Sequence, residues 1–254
     1  MRFIMDNEDE FEEVTENMNE RVGHYKNNIY GFENELEELY RCLSRYKKRN
    51  VLLIGKAGVG KTALVEKFCQ EINNKNVPNK FKKVVVYELF LNSVLSGTKY
   101  RGDMEEKVKS ILERVSNDTK VILFVDEIHN LIGLGKSGEN GQMSFDETLK
   151  PYLARGQITL IGATTEKEYK RYIKNNDAFD RRFNKLYIKE PNLKTTLEIL
   201  KSYKSEYENY YGIFLRENEF KQILVKSFMR RGNNPDKALD ELEDFCYERS
   251  KDNE

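Results

Sequence analysis

Three things that the sequence lacks exclude whole classes of protein. No apolar run approaches the ~20 residues that a membrane-spanning helix needs, and the acidic first twenty residues contain no apolar signal segment. Acidic and basic residues balance at 43 each, so net charge gives no attraction to nucleic acid. The three cysteines, Cys42, Cys69 and Cys246, are far apart and without metal-ligand spacing. We therefore expect a reducing compartment and no zinc site, nucleic-acid partner or membrane partner.

Apolar runs separated by helical patterns predict an α/β fold. The runs at 51–54, 84–89, 121–125, 158–162 and 187–188 are typical of strands, and their alternation with helices favours a parallel sheet covered on both faces. Beyond Pro191 apolar residues recur only at helical spacing. We predict an acidic tail or linker over 1–28, a large nucleotide-binding domain over 29–190 and a small helical domain over 191–254.

A glycine-rich loop between the first of these strands and a helical pattern predicts a nucleotide site. The loop reads GxxxxGKT and is followed by Ala63; its residues are Gly55, Lys56, Ala57, Gly58, Val59, Gly60, Lys61 and Thr62. The glycines let backbone N–H groups surround phosphate oxygens at a helix N-terminus. Lys61 is expected on the β- and γ-phosphates and Thr62 on Mg²⁺. The sequence thus predicts a nucleoside triphosphate ligand.

Polar residues at the ends of two later strands are expected beside this loop. Asp126 and Glu127 follow the strand 121–125 directly, at the sheet edge where α/β proteins hold ligands. Asp126 can hold Mg²⁺ through its water shell, and Glu127 can polarise a water for attack on the γ-phosphate. Thr164 and Thr165 end the next strand, where a hydroxyl could hold that water or sense the γ-phosphate; threonines also cap helices often.

Two further features leave alternatives open. Arg181 and Arg182 are either surface charge or arginines that act on the nucleotide of a neighbouring subunit, which requires a closed assembly. Lys99, Tyr100 and Arg101 lie in a loop bounded by glycines. That loop is either a turn with one packed tyrosine or an exposed aromatic that grips an extended polypeptide.

The ordered set of motifs resembles the first AAA+ module of the Clp unfoldases, the ClpB and ClpC type, over roughly residues 29–250. The matching stretches are GKAGVGKTALVE at 55–66, GTKYRGDMEEKVK at 97–109, VILFVDEIHNLIGLGK at 121–136, LKPYLARGQITLIGATTEKEY at 149–169, DRRF at 180–183, EPNLKTTLEIL at 190–200 and NPDKALDELED at 234–244. Phe32 departs from the family, which has arginine there.

The resemblance implies an AAA+ P-loop NTPase fold with a helical lid, and ATP and Mg²⁺ as ligands. Ile29 and Tyr30 would line the adenine pocket, and Asp236 and Lys237 would bring the lid over the nucleotide. Thr165 would be the first sensor, Arg181 and Arg182 the trans-acting fingers, and Tyr100 the pore-loop residue. The family works as a hexameric ring that threads unfolded polypeptide at the expense of ATP, and a peptidase partner would bind through regions outside this chain.

Two readings of function follow. The first is a Clp-type ATPase that drives polypeptide unfolding and translocation. The alternative is a nucleotide-binding module that holds a ring together with little hydrolysis, supported by the departure from the family pattern at 144–147. A loader acting on DNA is disfavoured by the neutral charge. Frequent Lys, Asn, Ile and Tyr, which have AT-rich codons, favour the stroma of a plastid or apicoplast, or otherwise the cytoplasm.

Overall fold

A six-stranded sheet organises the first three quarters of the chain. The computed structural model describes residues 11–25, 28–95, 101–132 and 145–251. The strands are β1 (Thr15–Asn17), β2 (Asn50–Ile54), β3 (Val85–Leu89), β4 (Val121–Val125), β5 (Thr159–Thr164) and β6 (Phe183–Tyr187). Their spatial order is β1-β3-β4-β5-β2-β6, with β1 antiparallel to β3 and the other neighbours parallel. The parallel α/β sheet predicted from the sequence is confirmed, with one antiparallel strand added at its edge.

Helices cover both faces of the sheet and then continue without strands. They are α1 (Met18–Gly23), α2 (Glu33–Leu43), α3 (Lys61–Asn73), α4 (Leu91–Leu95), α5 (Arg101–Ser116), α6 (Phe145–Arg155), α7 (Glu166–Glu168), α8 (Asp177–Asp180), α9 (Leu193–Ser202), α10 (Lys204–Tyr211), α11 (Glu217–Ser227) and α12 (Asp236–Lys251). Short 3₁₀ turns occupy Asn79–Phe81 and Ile128–Leu131, and a π turn occupies Tyr169–Ile173. In the described ranges, no helix is long and apolar enough to cross a membrane.

The strands are apolar runs because the sheet is buried on both sides. Every residue of β2 is buried, and two separate apolar clusters form on the two faces, one including Leu52 and Ile54 and the other Val51 and Leu53. This alternation is the period of two that a strand imposes on its side chains. The last strand, β6, was predicted at 187–188, but in the structure it begins at Phe183 and ends at Tyr187. It pairs with β2.

The predicted tail is wrong for residues 11–25. Phe11, Val14, Met18 and Val22 recur at three- and four-residue steps and are all buried, so this segment belongs to the packed core. Residues 11–14 are helical, β1 pairs with β3, and α1 follows with Asn17 as its N-cap. An acidic composition concealed this apolar spacing. Residues 1–10, 26 and 27 lie outside the described part of the chain.

The helices from α9 onward share an apolar core of their own. Its buried residues are Leu200, Ile213, Leu215, Phe220, Ile223, Leu224, Ala238, Leu242 and Cys246. Asn192 caps the start of α9 by accepting a hydrogen bond from the Thr195 N–H at 2.9 Å. Glu241 on α12 is buried and forms ion pairs with Lys226 at 2.8 Å and Arg230 at 2.6 Å, which ties α12 to the end of α11. We call residues 193–251 the helical region below.

Candidate nucleotide site

The loop between β2 and α3 is held open in a form that only glycine permits. Gly58 and Gly60 have φ of +74° and +93°, in the left-handed region that side chains disfavour. A Cβ on Gly58 would lie 2.7 Å from Cβ of Asp236, and one on Gly60 would lie 2.7 Å from Cζ of Phe32. Glycine at these two positions therefore lets the loop keep its conformation and its close packing against Asp236 and Phe32.

The N-terminus of α3 is suited to an anion. Gly60, its N-cap, has no side chain to accept from the first N–H groups, and the first turn contains no acidic residue. Those N–H groups and the helix dipole leave partial positive charge facing the loop. Lys61 begins the helix, is buried, and donates from Nζ to the carbonyl oxygens of Gly55 at 3.2 Å and Lys56 at 3.0 Å. Burial lowers the pKa of Lys61, although nearby Asp126 and Glu127 favour its charged form.

Two side-chain oxygens that could ligate a metal lie together where β4 ends beside α3. Thr62 Oγ1 donates to Oδ2 of Asp126 at 2.7 Å, and the other carboxylate oxygen of Asp126 accepts from the Glu127 N–H at 2.8 Å. Thr62 and Asp126 are 64 residues apart in sequence, and the parallel order of the sheet brings them together. Both predicted metal ligands therefore occupy one point of the cleft.

Glu127 stands in an unusual backbone conformation. Its φ of 50° and ψ of 41° place a residue with a full side chain in the left-handed region. Such a conformation costs on the order of 1–3 kcal/mol and persists only where the surroundings enforce it. Asn130 N–H donates to the Glu127 carbonyl at 2.8 Å, which closes the 3₁₀ turn that begins there. The side chain of Glu127 is 53% exposed and faces the cleft.

Sequence reasoning missed His129, which links Glu127 to the end of β5. Nε2 of His129 lies 3.3 Å from Oε2 of Glu127, and Nδ1 lies 3.1 Å from Oγ1 of Thr164. The imidazole is stacked on the ring of Tyr172, at 5.8 Å between centroids and 16° between planes. The sequence signal that could have identified it was its position three residues after Asp126. The structure places it on the 3₁₀ turn Ile128–Leu131.

The structure gives Thr165 a capping contact. Its Oγ1 accepts a hydrogen bond from the Glu168 N–H at 3.3 Å, as the N-cap of α7. Thr164, one residue earlier, is fully buried at the end of β5. The sensor role of Thr165 remains a prediction, because its side chain does not line the cleft.

Arg181 and Arg182 lie away from the phosphate loop of their own chain. Arg181 is the exposed C-cap of α8, and Arg182 is half-buried just before β6. Neither lines the cleft. Lys99 and Tyr100 lie outside the described residues, as does the side chain of Arg101, whose backbone begins α5.

The loop opens into a cavity of about 780 Å³ between the sheet and the helical region. Most of the predicted nucleotide residues line it: Ile29, Tyr30, Ala57, Gly58, Gly60, Lys61, Thr62, Ala63 and Asp236, together with Asp126 and Glu127. Gly55, Lys56, Val59 and Lys237 are not part of the lining. Lys237 instead places Nζ 5.8 Å from the centre of the Phe228 ring.

The cavity also has walls that the sequence did not predict. His24, Tyr25 and Phe32 contribute from the N-terminal side, and Glu66 and Tyr203 from α3 and the end of α9. Tyr25 donates its hydroxyl to Glu66 at 2.9 Å, and burial together with the Glu66 charge raises the pKa of Tyr25 to about 12. The aromatic rings give this end of the cavity a partly apolar lining suited to a planar base.

The helical region closes the cavity through contacts with the phosphate loop. Asn233 Nδ2 donates to the Ala57 carbonyl at 3.0 Å, and the Asp236 N–H points to the Gly58 carbonyl at 3.4 Å. The start of α12 therefore rests on the loop itself.

The residues present fit a nucleoside triphosphate with Mg²⁺. The uncapped helix and the glycine cradle suit phosphate oxygens. Mg²⁺ is usually held by one or two protein oxygens plus phosphates and waters, which matches the Thr62 and Asp126 pair. The described residues contain no cluster of three or more His, Cys, Asp or Glu that could hold a metal alone. A cavity of this volume is within the range of small-molecule sites.

Fold and site together define a P-loop ATPase module. Residues 51–187 match the family model described as "ATPase family associated with various cellular activities (AAA)", and the chain belongs to that family. Within it, the chain is similar to the Clp-type chaperones. It is 38% identical over 243 residues to the chaperone protein ClpB of Mycoplasma genitalium, covering 94% of this chain and 34% of that protein. It is 41% identical over 221 residues to ClpB of Staphylococcus aureus, covering 86% and 25%.

Solved structures agree with this assignment. A closed-state reconstruction of Hsp104 with ATPγS and FITC casein superposes with a TM-score of 0.86 at 33% identity, covering 95% of this chain and 41% of that one. The Saccharomyces cerevisiae Hsp104–ADP complex gives a TM-score of 0.85 at 32% identity, covering 96% and 42%. The chain spans about a quarter to a third of the curated relatives named above. The predicted fold class and the predicted Clp-family resemblance are confirmed.

Proposed function

We propose that the chain binds and hydrolyses ATP with Mg²⁺ as one module of a Clp-type chaperone that unfolds and threads polypeptide. The observation that carries this proposal is that Lys61, Thr62, Asp126 and Glu127 line one cavity beside the glycine-rich loop. The similarity to ClpB chaperones and to Hsp104 complexes with ATPγS and casein supports it.

Each of these residues has a distinct part in hydrolysis. The N–H groups of the loop and the Lys61 ammonium would bind the β- and γ-phosphates, whose negative charge favours the charged form of the lysine. Thr62 and Asp126 would hold Mg²⁺, which supplies neutralisation of charge on the phosphate oxygens. Glu127, at the open side of the cleft, would accept a proton from the attacking water.

Arg181 and Arg182 support a ring assembly. Both lie outside the cavity of their own chain, and Arg181 is exposed at the protein surface. In a hexamer they would reach the γ-phosphate of the neighbouring subunit, where an arginine contributes about 10³–10⁵ in rate. ATP turnover per chain should then rise with protein concentration as the ring forms.

The expected polypeptide contact is Tyr100, flanked by Lys99 and Arg101. A peptidase partner would require regions outside this chain. These assignments rest on the family resemblance and on the casein complex of Hsp104.

A pair of variants tests the proposal in steady-state ATPase and substrate-unfolding assays. Glu127→Gln should retain ATP binding and lose turnover by about 10² or more, since it removes only the proton acceptor. Tyr100→Ala should hydrolyse ATP without unfolding substrate. Turnover by Glu127→Gln at the parent rate would contradict the assignment of the base. A hexameric parent with bound ATP and no turnover would favour the ring-assembly alternative, which the relatives do not favour.

We propose a reducing compartment for the protein. All three cysteines are free and buried, which suits such a compartment. The plastid or apicoplast stroma, expected from composition, remains a prediction. Imaging a tagged copy in the source cell would test it.

A further inference from the structure

We propose that His129 is a positioning residue that holds the carboxylate of Glu127 toward the attacking water, with the Thr164 hydroxyl supporting the imidazole from its other nitrogen. This inference rests on the proposed ATPase function. It starts from an unusual juxtaposition: the exposed Glu127 is joined through one ring to the fully buried Thr164 on a different strand.

The ring of His129 has little freedom to move. Its side chain is 10% exposed, one face is stacked on Tyr172, and both nitrogens have partners at 3.1 and 3.3 Å. Because His129 is held on three sides, it can support the Glu127 side chain, which is 53% exposed. Glu127 needs such support, because its exposed carboxylate would otherwise sample many rotamers.

The chemistry of the partners selects one tautomer. A carboxylate only accepts hydrogen bonds, so the contact with Glu127 is favourable when Nε2 carries the proton. In the neutral ring Nδ1 is then an acceptor, and the Thr164 hydroxyl must donate to it. Thr164 is suited to this, since its hydroxyl lies 3.1 Å from Nδ1 and the residue is fully buried at the end of β5. The carboxylate thus sets the direction of both contacts, and the hydroxyl completes the arrangement by donating to Nδ1.

The arrangement also explains the left-handed backbone at Glu127. That conformation turns the residue back over the 3₁₀ turn Ile128–Leu131, on which His129 lies. An extended residue 127 would carry its side chain on along the strand direction. The left-handed backbone of Glu127 and its contact with the His129 ring therefore act together to orient the carboxylate.

The first test reads the tautomer directly and needs no activity. The chain has two histidines, so ¹⁵N ring shifts can be assigned with His24→Gln. At about pH 8, where model imidazoles are neutral, His129 should show a protonated Nε2 and an unprotonated Nδ1. Thr164→Val should weaken this preference, because the acceptor-only carboxylate remains, whereas Thr164→Ser, which keeps the hydroxyl, should retain it in full. A protonated Nδ1 in the parent protein would overturn the proposal.

The second test is kinetic and asks whether His129 acts through Glu127. His129→Ala should lower kcat about 10–100-fold, the usual cost of losing an orienting partner, with KM within about threefold of the parent value. His129→Gln, whose amide can donate toward Glu127, should recover part of kcat. In the Glu127→Gln background His129→Ala should have no further effect, because the group it positions is already gone.

The outcomes separate this inference from the function on which it rests. A parent protein that never turns over ATP contradicts the proposed function, while the tautomer measurement still decides the role of the ring. A parent that turns over ATP, with His129→Ala at the same kcat, contradicts the positioning role alone. Equal losses from His129→Ala in the parent and the Glu127→Gln backgrounds would do the same.

Discussion

Replacing Arg21 should destabilise the protein and should do so most strongly at neutral pH. Nη1 of Arg21 lies 2.6 Å from Glu88 and 2.7 Å from Glu16, and Nη2 lies 3.4 Å from Glu66. The Arg21 and Glu88 side chains are 21% and 12% exposed. Arg21→Met keeps the aliphatic stem and leaves three carboxylates, one of them well buried, without their cation.

The magnitude follows from burial. Removing one partner of a fully buried ion pair costs about 3–5 kcal/mol. Solvent reaches part of this cluster, most of all at Glu16, whose side chain is 42% exposed, so we expect about 2–3 kcal/mol. For a chain of this size that corresponds to a fall in Tm of about 5–10 °C. Thermal unfolding followed by circular dichroism or calorimetry measures it.

The pH dependence gives the sharper test. Burial raises the pKa of Glu88 above its ordinary value, and Arg21 opposes that rise. Without Arg21 the rise in the pKa of Glu88 should be larger. A protonated Glu88 then favours the folded state in acid, and the variant loses that stability as the pH rises through the raised pKa. The difference in Tm between parent and Arg21→Met should therefore be largest near pH 7 and shrink toward about pH 5.

Two further variants control this experiment. Lys109→Met removes a cation from an exposed pair with Glu113 and should shift Tm by no more than about 1–2 °C. Glu88→Gln added to Arg21→Met should recover part of the loss, because it removes the stranded charge. A fall of less than about 1 °C for Arg21→Met, or an equal fall at both pH values, would refute the reasoning.

Two other predictions concern the phosphate loop and the helical region. Gly60→Ala should weaken ATP binding at least about tenfold by calorimetry, because the added Cβ would clash with the Phe32 ring. The control is Gly156→Ala: Gly156 is also at positive φ, but nothing lies within 4 Å of its Cβ, so the affinity should be unchanged. Glu241→Gln should lower the free energy of unfolding by about 1–3 kcal/mol, measured by chemical denaturation. It weakens the 2.6 Å hydrogen bond from Arg230 to a carboxylate that is 4% exposed. Unchanged stability would contradict the burial argument.

Sequence patterns predicted the elements that follow strict periodicity or a local motif. The strand β4 matches its predicted range because an unbroken apolar run admits a buried strand. The loop from Gly55 to Thr62 was evident because its spacing is a local requirement of phosphate binding. The meeting of Thr62 with Asp126 followed from the general rule that parallel strands present their C-terminal ends at one edge.

Features that depend on long-range partners were not predictable in this way. Thr164 and Thr165 are chemically equivalent in sequence, and only the packing of α7 and the 3₁₀ turn assigns one to His129 and the other to a helix cap. The walls at Tyr25 and Tyr203 come from segments that are far apart in sequence and meet across the cavity. No local pattern encodes such a contact.

The Arg21 cluster shows why the N-terminal segment belongs to the nucleotide site. Of its three carboxylates, Glu66 lines the cavity and accepts from Tyr25, while Glu88 lies at the end of β3 and senses the charge of Asp126. The same arginine therefore joins α1, the cavity wall and the strand end next to the metal position. Residues 11–25 therefore belong to the packed unit that forms the site, because they are buried in its core and supply both a wall of the cavity and the cation beside Glu66.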